Sequence, residues 1–292
     1  MLIAIFLNAT QNNILQYSID YTCMNLELSY PCVMGICNVT PDSFYDGGHY
    51  VQEKQALHHI ERMIQQGAAI IDIGAYSSRP GSADITIDQE YERLLPIVRN
   101  TKKYFSHIPI SIDTFRSKIV ERLYLEVGDI VVNDISGGTL DSNMMSVCGK
   151  YSLPYICMHM KGTPQTMQQY TEYTDVVQDI YSFFETQIQQ AKQYGIETII
   201  IDPGFGFAKT LNQNYEIIQQ LQVFSNLRVP ILVGFSRKSM IYKLCDTTPQ
   251  EALNGTTVLN TLALTKGASI LRVHDVLQAV EVITIWKQTN NV

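Results

Sequence analysis

Three side chains with hydrogen-bond acceptors stand where short, largely apolar runs end, and their types suggest a common ligand. Asp113, Asn133 and Asp202 each follow a run of four or five residues. A carboxylate in apolar surroundings is costly unless it is paired, so these groups require N–H donors. A flat heterocycle with an amino-pyrimidinone edge offers two such donors side by side, and each charge-assisted hydrogen bond contributes about 1.5–3 kcal/mol. The three residues therefore predict a site for such a ligand.

Four cationic or titratable side chains, Arg79, Lys238, Arg272 and His274, follow other runs of the same kind. A single Lys or Arg is usually solvated at the surface, but four such groups that share one site repel one another. A phosphate-bearing substrate would supply the negative charge that makes their clustering favourable. We therefore expect these residues to face an anionic part of the substrate.

Other acidic residues near the ends of apolar runs have a structural explanation. Asp134 and Asp141 are expected to cap helices, because a carboxylate at a helix start accepts hydrogen bonds from free backbone N–H groups. For Asp72 the sequence leaves two possibilities open, a helix cap or a ligand contact.

The elements that must position these side chains repeat along the chain. A short apolar run ends in a polar residue, a loop with Gly or Pro follows, and an amphipathic helix comes next. The pattern occurs eight times after residue 32, the number of units in a closed parallel α/β barrel. A doubly wound open sheet is the alternative, but it would gather its ligand residues at one or two switch points. The polar ends are Asn38, Asp72, Asp113, Asn133, His159, Asp202, the turn 236–238, and Arg272 with His274.

Residues 1–292 are therefore expected to form a single (β/α)8 TIM-barrel domain, with the polar run ends at one mouth. Residues 1–31 contain two strand-like runs, 3–7 and 14–17, separated by turn formers, which predicts an N-terminal β-hairpin extension that closes one end of the barrel. The first Lys or Arg is Lys54, so the opening MLIAIFL lacks the positive region of a signal peptide.

Composition limits the classes of function. Hydrophobic residues make up 46% of the 292 residues and charged residues 17%, which is enough for a large core. The net charge is -7 and no Lys/Arg-rich run occurs, which argues against a nucleic-acid partner. No apolar run approaches the roughly 18 residues of a membrane span, so no membrane association is expected.

The six cysteines show no CxxC and no Cys/His zinc spacing. Most lie in apolar runs, which favours buried, reduced thiols over disulfides. Reduced thiols indicate a cytoplasmic location. The cysteines are Cys23, Cys32, Cys37, Cys148, Cys157 and Cys245.

Eight segments of the chain resemble the motifs of the dihydropteroate synthase family, the folate-pathway enzymes that sulfonamides inhibit. They occur in the order of the family and cover everything after about residue 32. The resemblance implies a transferase that joins 4-aminobenzoate to 6-hydroxymethyl-7,8-dihydropterin pyrophosphate and releases pyrophosphate and 7,8-dihydropteroate. The segments are MGICNVTPDSFYDGG (34–48), DIGAYSSRPGS (72–82), SIDTFRSKIV (111–120), VNDISGG (132–138), MHMKGTPQTMQ (158–168), DPGFGFAKT (202–210), GFSRKS (234–239) and RVHDV (272–276).

The resemblance also implies a role for each matching residue. One group would hold the pterin: Asp113, Asn133, Asp202 and Lys238, with Arg272 against the ring. Another would bind the pyrophosphate: Asn38, Arg272 and His274, with Asn38 also a ligand of the cofactor Mg2+. A third would line the 4-aminobenzoate pocket: Phe44, Ser78, Pro80, Phe207 and Ser239. The catalytic residues implied are Asp46 and Arg79, on two loops that close over the site, together with Asp113 and Lys238.

The same resemblance suggests the course of the reaction. Pyrophosphate leaves from a carbon conjugated to an electron-rich ring, so a dissociative substitution is expected if Mg2+ and the cations neutralise the departing charge. An aromatic amine is nucleophilic without losing a proton, so we expect no dedicated general base.

The second loop departs from the family pattern, which usually reads GGESTRPG. Ala75, Tyr76 and Ser78 replace the second Gly, the Glu and the Thr. Ser78 keeps the hydroxyl, whereas Tyr76 changes size and charge beside the expected 4-aminobenzoate pocket. Binding of 4-aminobenzoate and of sulfonamides is therefore the property that this departure affects most.

Two other functions stay open from sequence alone. A pterin-binding methyltransferase barrel shares the pterin-holding acids, but it should lack the NVTPDSF and SRK elements that are present here. A catalytically inactive pterin-binding or scaffold protein would bind pterin without turnover. The family further implies a homodimer packed through the last helices, and the apolar segment 276–286 agrees with this.

Overall fold

The computed structural model of the chain describes residues 28–39, 49–77 and 84–291. Within these residues eight parallel strands alternate with helices. The strands are β1 Cys32–Asn38, β2 Ile70–Gly74, β3 Ile110–Asp113, β4 Val131–Asp134, β5 Tyr155–Met158, β6 Ile199–Asp202, β7 Leu232–Val233 and β8 Ile270–Val273. The helices are α1 His49–Gln65, α2 Ile87–Tyr104, α3 Ser117–Val127, α4 Met144–Lys150, α5 Val176–Gln193, α6 Leu211–Gln219, α7 Ser239–Tyr242, α8 Leu253–Leu264 and α9 Val276–Asn290.

The strands form one closed barrel, which confirms the predicted (β/α)8 fold. Their order is β6-β5-β4-β3-β2-β1-β8-β7. A parallel bridge between Ile201 and Ile231, with a hydrogen bond from the Ile201 N–H to the Pro230 carbonyl, joins the two ends of this sheet. The open-sheet alternative is thereby excluded, and the carboxyl ends of all eight strands lie at one mouth.

Two sets of apolar side chains hold the barrel together. The larger set lies between the strands and the surrounding helices, because the inward stripes of amphipathic helices cover the outward faces of the strands. Each fully buried Val, Leu, Ile or Met contributes about 1.5–3 kcal/mol. The smaller set fills the inside of the barrel and comprises Cys32, Met34, Ile70, Val131, Ile156, Ile200, Leu232 and Ile270.

Several helix boundaries in the structure can be compared with those that the sequence pattern predicts. The sequence pattern predicts a helix over about 214–224, but α6 begins earlier, at Leu211. The reason is a capping box, in which Thr210 Oγ1 accepts a hydrogen bond from the Gln213 N–H and the Gln213 side chain accepts one from the Thr210 N–H. The helix ends at Gln219, and a 3-10 helix, Leu221–Leu227, follows. The helical stretch predicted over 238–266, with an interruption near Thr248 and Pro249, is divided into α7 and α8, and this confirms the interruption.

The strands end later than expected, and this affects the site. Asn38, Asp113, Asp134 and Asp202 are the last residues of their strands rather than the first residues of the loops. A strand residue is held by ladder hydrogen bonds on both sides, so its side chain has a better defined direction than that of a loop residue.

The predicted hairpin over residues 1–31 falls mostly outside the described residues, and it stays a prediction. Of that segment only 28–31 are described, and Leu28 and Tyr30 pack against the inner apolar set. No helix in the described part of the chain is both long and apolar enough to cross a membrane.

Candidate active site

A row of neighbouring residues forms one side of the mouth. Parallel pairing places Asn38 beside Gly74, Gly74 beside Asp113, and Asp113 beside Asn133. Gly74 leaves room for the carboxylate next to it, because a Cβ at this position would lie 3.1 Å from the Asp113 Cβ. Strand register alone therefore brings an amide, a carboxylate and a second amide together.

Arg272, on β8, lies at the centre of the mouth and pairs with two carboxylates. Its Nε lies 2.7 Å from Asp72 Oδ2, and its Nη2 lies 2.7 Å from Asp113 Oδ2. Burial lowers the pKa of Arg272, but Asp72 and then Asp113 outweigh that effect and raise it. The guanidinium is thus permanently charged and is fixed in place by strands on two sides.

Asp72 also settles the orientation of Asn133. The Asn133 Nδ2 donates to Asp72 Oδ2 at 3.0 Å, so the amide nitrogen faces Asp72 and the amide oxygen remains an acceptor for another donor. Asp72 is completely buried, and its Oδ1 has no hydrogen-bond partner among the described residues. Of the two possibilities left open by the sequence, the helix cap is wrong, and Asp72 belongs to the floor of the mouth.

The opposite side of the mouth is formed by Asp202 and Lys238. Asp202 is buried at the end of β6, where its Oδ1 accepts a hydrogen bond of 2.8 Å from the Gly204 N–H. The Lys238 Nζ donates to the Phe205 carbonyl at 2.7 Å and lies 4.9 Å from the centre of the Phe207 ring. Lys238 therefore contacts the loop that follows Asp202 at two places.

Burial perturbs the ionisation of these groups. It raises the pKa of Asp113 to about 7, against the lowering effect of Arg272, and Asp72 raises it further. It also raises the pKa of Asp202, although Lys238 acts in the opposite direction. Burial lowers the pKa of Lys238 to about 8, with Asp202 opposing this. A ligand that donates N–H groups to the carboxylates and accepts from Lys238 would stabilise the charged form of all three.

An apolar wall borders the mouth beside these polar groups. It consists of side chains from the loops after β3, β4, β5 and β6, and it suits the face of a flat ring. Its buried members are Ile135, Met158, Met160, Met167 and Ala208, with Phe115, Leu140 and Phe207 packed against them.

His274 lies at the rim of the mouth next to β8. Its backbone N–H donates to Ser236 Oγ at 3.1 Å, which connects the loop after β8 to the loop after β7. The residue is exposed, and the neighbouring protein and then the Arg272 charge lower the pKa of its ring. The Arg272 charge thus disfavours a proton on His274 unless an anion is bound beside it, and the predicted pyrophosphate-binding role of His274 stays a prediction.

Tyr76 connects three loops at the edge of the mouth. Its hydroxyl accepts a hydrogen bond of 2.6 Å from Gln165 Nε2, and its ring meets Phe115 edge-on at 5.0 Å. The Arg116 guanidinium lies 5.2 Å from the centre of the Tyr76 ring. Because Arg116 is paired with Glu90 at 2.8 Å, no carboxylate is needed at position 76 to balance its charge.

Asp134 and Asp141, the two acids predicted to cap helices, both have structural roles, but the two roles differ. Asp141 caps α3, because its Oδ2 accepts a hydrogen bond from the Ser117 N–H at 2.8 Å. Asp134 does not cap a helix, which corrects the prediction. The chain continues as turns after β4, and Asp134 instead accepts hydrogen bonds from Ser136 and Gly138 within that loop and from the Tyr155 hydroxyl.

The described residues thus bring together most of the predicted pterin- and pyrophosphate-binding set. Ser239, the first residue of α7, is half-buried directly after Lys238. His159 is buried and contacts Lys209 rather than the open mouth. Five predicted residues lie outside the described part of the chain, and their roles stay predictions: Phe44, Asp46, Ser78, Arg79 and Pro80.

Sequence reasoning missed residues that hold the site from outside. Lys209, Arg237 and Asp275 lie within the quoted motifs, but they were given no role. Their neighbours in sequence are site residues, and this was the only signal available. A cavity of about 260 Å³, lined by Lys102, His107 and Asp129 among others, opens at the opposite end of the barrel, away from the mouth that carries active sites in this fold.

Comparison with known proteins agrees with this geometry. Residues 34–274 match the family described as "Pterin binding enzyme". The dihydropteroate synthase of Synechocystis sp. is 45% identical over 247 residues, which is 84% of this chain and 85% of that protein. The dihydropteroate synthase of Escherichia coli K12 is 40% identical over 267 residues, 91% of this chain and 94% of that protein.

A solved structure shows the same fold. The dihydropteroate synthase of Clostridium difficile, crystallised in the presence of pteroic acid, superimposes with a TM-score of 0.84 at 38% identity, over 90% of this chain and 98% of that one. Matched family motifs, high identity and near-complete coverage point the same way. The chain belongs to the dihydropteroate synthase family of pterin-binding enzymes.

Proposed function

We propose that the barrel mouth carries out dihydropteroate synthesis, in which 4-aminobenzoate displaces pyrophosphate from 6-hydroxymethyl-7,8-dihydropterin pyrophosphate. The observation that supports it most is the grouping of Asp113, Asn133, Asp202 and Lys238 around Arg272. These side chains present acceptors, one ammonium donor and one flat cation to a single space. An amino-pyrimidinone ring carries the complementary donors and acceptors on one edge.

The pterin would bind with its N–H groups toward the carboxylates. Asp202 and Asp113 accept from the ring, the Asn133 amide oxygen accepts a further N–H, and Lys238 donates to a ring acceptor. The planar guanidinium of Arg272 lies against the ring face, as its weak hydration and planarity favour. Because Asp72 and the strand register hold these groups before the ligand arrives, little ordering is needed on binding.

Loss of pyrophosphate would be assisted by the groups at the rim. Arg272 provides a fixed positive charge, and the His274 ring donates an N–H to the pyrophosphate, whose negative charge favours a protonated imidazole. While the pyrophosphate departs, Asp113 and Asp202 stabilise the positive charge that develops on the pterin. This arrangement favours a dissociative substitution.

Asn38 fits a role as a ligand of Mg2+. Its side chain is an oxygen donor at the end of β1, and no set of three His, Cys, Asp or Glu side chains suited to a metal occurs in the described residues. Mg2+ commonly takes one or two protein oxygens and fills its remaining positions with water and phosphate oxygens. When bound, the ion would neutralise charge on the pyrophosphate.

The 4-aminobenzoate would lie beside the apolar wall, with Phe207 and Ser239 among its contacts. Its amine attacks as the neutral aromatic amine, and the proton is lost after the new C–N bond forms. No residue needs to act as a dedicated general base, and the pH dependence of the rate should reflect groups that bind substrate. Phe44, Ser78 and Pro80 complete the pocket in this proposal, and Asp46 and Arg79 complete the catalytic set.

A comparison of two isosteric variants tests the function. Asp202→Asn removes a buried acceptor, and we expect kcat/KM for the pterin substrate to fall about 100-fold or more, as expected for two lost charged hydrogen bonds. Asp246→Asn is the matched control, because Asp246 is exposed and its positive φ of 50° suits Asn. Formation of 7,8-dihydropteroate, followed by mass spectrometry, should be normal in the control. Equal rates for both variants would contradict the proposal.

We also propose a homodimer formed through α8 and α9. The two helices pack side by side, and apolar side chains on them are exposed: Val258 (50%), Leu262 (43%), Leu277 (43%) and Ile285 (66%). Burial of this surface against a second copy would remove it from water. Light scattering should give a dimer for the native chain and a monomer for Leu262→Glu. A monomeric native chain would contradict this.

The described cysteines agree with a cytoplasmic location, which we include in the proposal. Cys32, Cys37, Cys148 and Cys157 are buried free thiols, and Cys245 is an exposed one. Burial raises the pKa of Cys32 and Cys37 to about 12, which suppresses the reactive thiolate. Free thiols are usual in a reducing compartment.

A further inference from the structure

Lys209 is a buried cation that the reaction does not use directly. Only 4% of the residue is exposed, and its Nζ is surrounded by acceptors from two loops. Within the loop after β6 it donates to the Gly204 carbonyl at 3.0 Å and to the Phe207 carbonyl at 2.9 Å. Toward β5 it lies 3.1 Å from His159 Nδ1 and 3.4 Å from the His159 carbonyl.

The protonation of this pair follows from the donors available. In its charged form Lys209 has three N–H donors and no acceptor, so a neutral His159 ring then accepts through Nδ1. Burial lowers the pKa of Lys209 to about 7, and Asp202 opposes this. Burial and then the Lys209 charge hold the pKa of His159 well below its usual value, in agreement with a neutral ring. The three donors of Lys209 are therefore directed to Gly204, Phe207 and His159.

The loop from 203 to 208 requires such support, because its backbone is unusually bent. Gly204, Gly206 and Ala208 all have positive φ, at 70°, 81° and 49°. A left-handed conformation costs a non-glycine residue such as Ala208 about 1–2 kcal/mol. A bent loop leaves backbone carbonyls without ladder partners, and these must be satisfied by other donors.

Two lysines satisfy those carbonyls from opposite sides. Lys238 donates to Phe205 from the mouth, and Lys209 donates to Gly204 and Phe207 from the buried side next to His159. The Phe207 ring in turn contacts Lys238 and the apolar wall. The position of the Phe207 ring thus depends on a backbone carbonyl that Lys209 holds.

We propose that Lys209 is a positioning residue for the arylamine, because it fixes the loop that carries Phe207 into the side of the mouth where 4-aminobenzoate binds. The inference rests on the proposed function and extends it to a residue that does not touch the substrate. Asp202 is less dependent on Lys209, since it belongs to β6 and its ladder. Removal of Lys209 should therefore affect the arylamine more than the pterin.

Lys209→Met, which keeps the length of the side chain and removes its donors, tests this. We expect the KM for 4-aminobenzoate to rise tenfold or more, while kcat and the affinity for the pterin substrate stay within threefold. Lys192→Met is the matched control, because Lys192 is exposed near the end of α5, and it should leave all three quantities unchanged. Lys209→Gln, which keeps two donors, should give an intermediate KM and serves if the Met variant does not fold.

Hydrogen exchange provides a readout that is independent of turnover. In Lys209→Met, exchange of the amides in 203–208 should increase while the rest of the barrel stays protected. An unchanged arylamine KM, or an equal loss of pterin affinity, would overturn the inference. If the native chain forms no dihydropteroate, the proposed function fails. The role of Lys209 is then tested separately by calorimetric measurement of 4-aminobenzoate binding. Equal affinities of the native chain and Lys209→Met for 4-aminobenzoate would contradict that role.

Discussion

Arg237 and Asp275 form a two-point ion pair that joins the loop after β7 to the loop after β8. Arg237 Nε lies 2.9 Å from Asp275 Oδ2, and Arg237 Nη2 lies 2.8 Å from Asp275 Oδ1. Arg237 Nη1 also donates to the Gln250 carbonyl at 2.9 Å. One partner directly precedes Lys238 and the other directly follows His274, so the pair fixes the distance between two parts of the proposed site.

Breaking this pair should therefore reduce both stability and activity. We expect Arg237→Gln and Asp275→Asn each to lower the free energy of unfolding by about 1–3 kcal/mol, because a half-buried partner is left unpaired. The double variant should be less destabilised than the sum of the two, with a coupling of about 1 kcal/mol or more. Urea unfolding of all four proteins measures this. The exposed pair of Arg122 and Asp88 is the control, with an expected coupling under about 1 kcal/mol.

Asp72 should matter to catalysis although it is completely buried. In Asp72→Asn, Arg272 keeps only Asp113 as a charged partner, and the Asn133 amide faces a neutral amide in place of the carboxylate that orients it. We expect kcat/KM for the pterin substrate to fall about 10- to 100-fold, the equivalent of one or two charged hydrogen bonds. Ser111→Ala is the matched control, because Ser111 is buried beside Asp72 and its Oγ has no partner among the described residues. A normal Asp72→Asn enzyme would refute this role.

The raised pKa of Asp113 predicts a pH dependence with a definite sign. Burial raises the pKa from 3.8 to about 7, so the folded protein holds a proton that the unfolded chain has lost. The stability that this proton contributes is present below about pH 4 and is lost as the pH rises through about 7. Asp113→Asn should flatten this part of the stability curve, as measured by thermal unfolding between pH 4 and 8. An unchanged slope would show that Asp113 ionises normally.

Proton release on ligand binding is a second consequence for Asp113. A pterin that donates N–H groups stabilises the carboxylate, so binding near pH 6 should release a proton from Asp113. Calorimetry in buffers with different ionisation enthalpies detects such a proton, and Asp113→Asn should not release it.

Tyr76 should influence the arylamine through its ring more than through its hydroxyl. Tyr76→Ala removes the contacts with Phe115 and Arg116, and we expect the KM for 4-aminobenzoate to rise about three- to tenfold, equivalent to an aromatic pair of about 0.5–1.5 kcal/mol. Tyr76→Phe keeps the ring and loses the hydroxyl, with its exposed hydrogen bond to Gln165, and should stay within about threefold. Steady-state kinetics with saturating pterin substrate distinguish the two. Equal effects of both variants would assign the role to the hydroxyl.

Much of the fold could be predicted from the sequence, because its signals are local. Each strand is a short apolar run and each helix has an amphipathic stripe, and eight such units leave few arrangements. The expected strand Tyr155–Met158 has the predicted bounds. The errors lie where local patterns compete: the capping box at Thr210 moved the start of α6 toward the N-terminus, and the 3-10 helix Leu221–Leu227 replaced the predicted end of that helix.

The site was predictable only in part, because the side chains that hydrogen-bond to one another there are distant in sequence and meet only in the folded chain. Asp113, Asn133 and Asp202 could be identified by their places at run ends. The role of Asp72 depends on Arg272, which lies 200 residues away in sequence, and no local pattern distinguishes it from a helix cap. Lys209 was missed for the same reason. Its Nζ binds backbone carbonyls, which every residue has, so the residue types around it do not indicate its role.

The most direct test of the account is the release of pyrophosphate from 6-hydroxymethyl-7,8-dihydropterin pyrophosphate with Mg2+, measured with and without 4-aminobenzoate. We expect release to require 4-aminobenzoate, and to fall about 100-fold or more in Lys238→Ala, because that variant loses the ammonium that we propose contacts the pterin and that holds the Phe205 carbonyl. Bound pterin without any release of pyrophosphate would contradict the proposed reaction, and full activity in Lys238→Ala would contradict the assignment of the site to the barrel mouth.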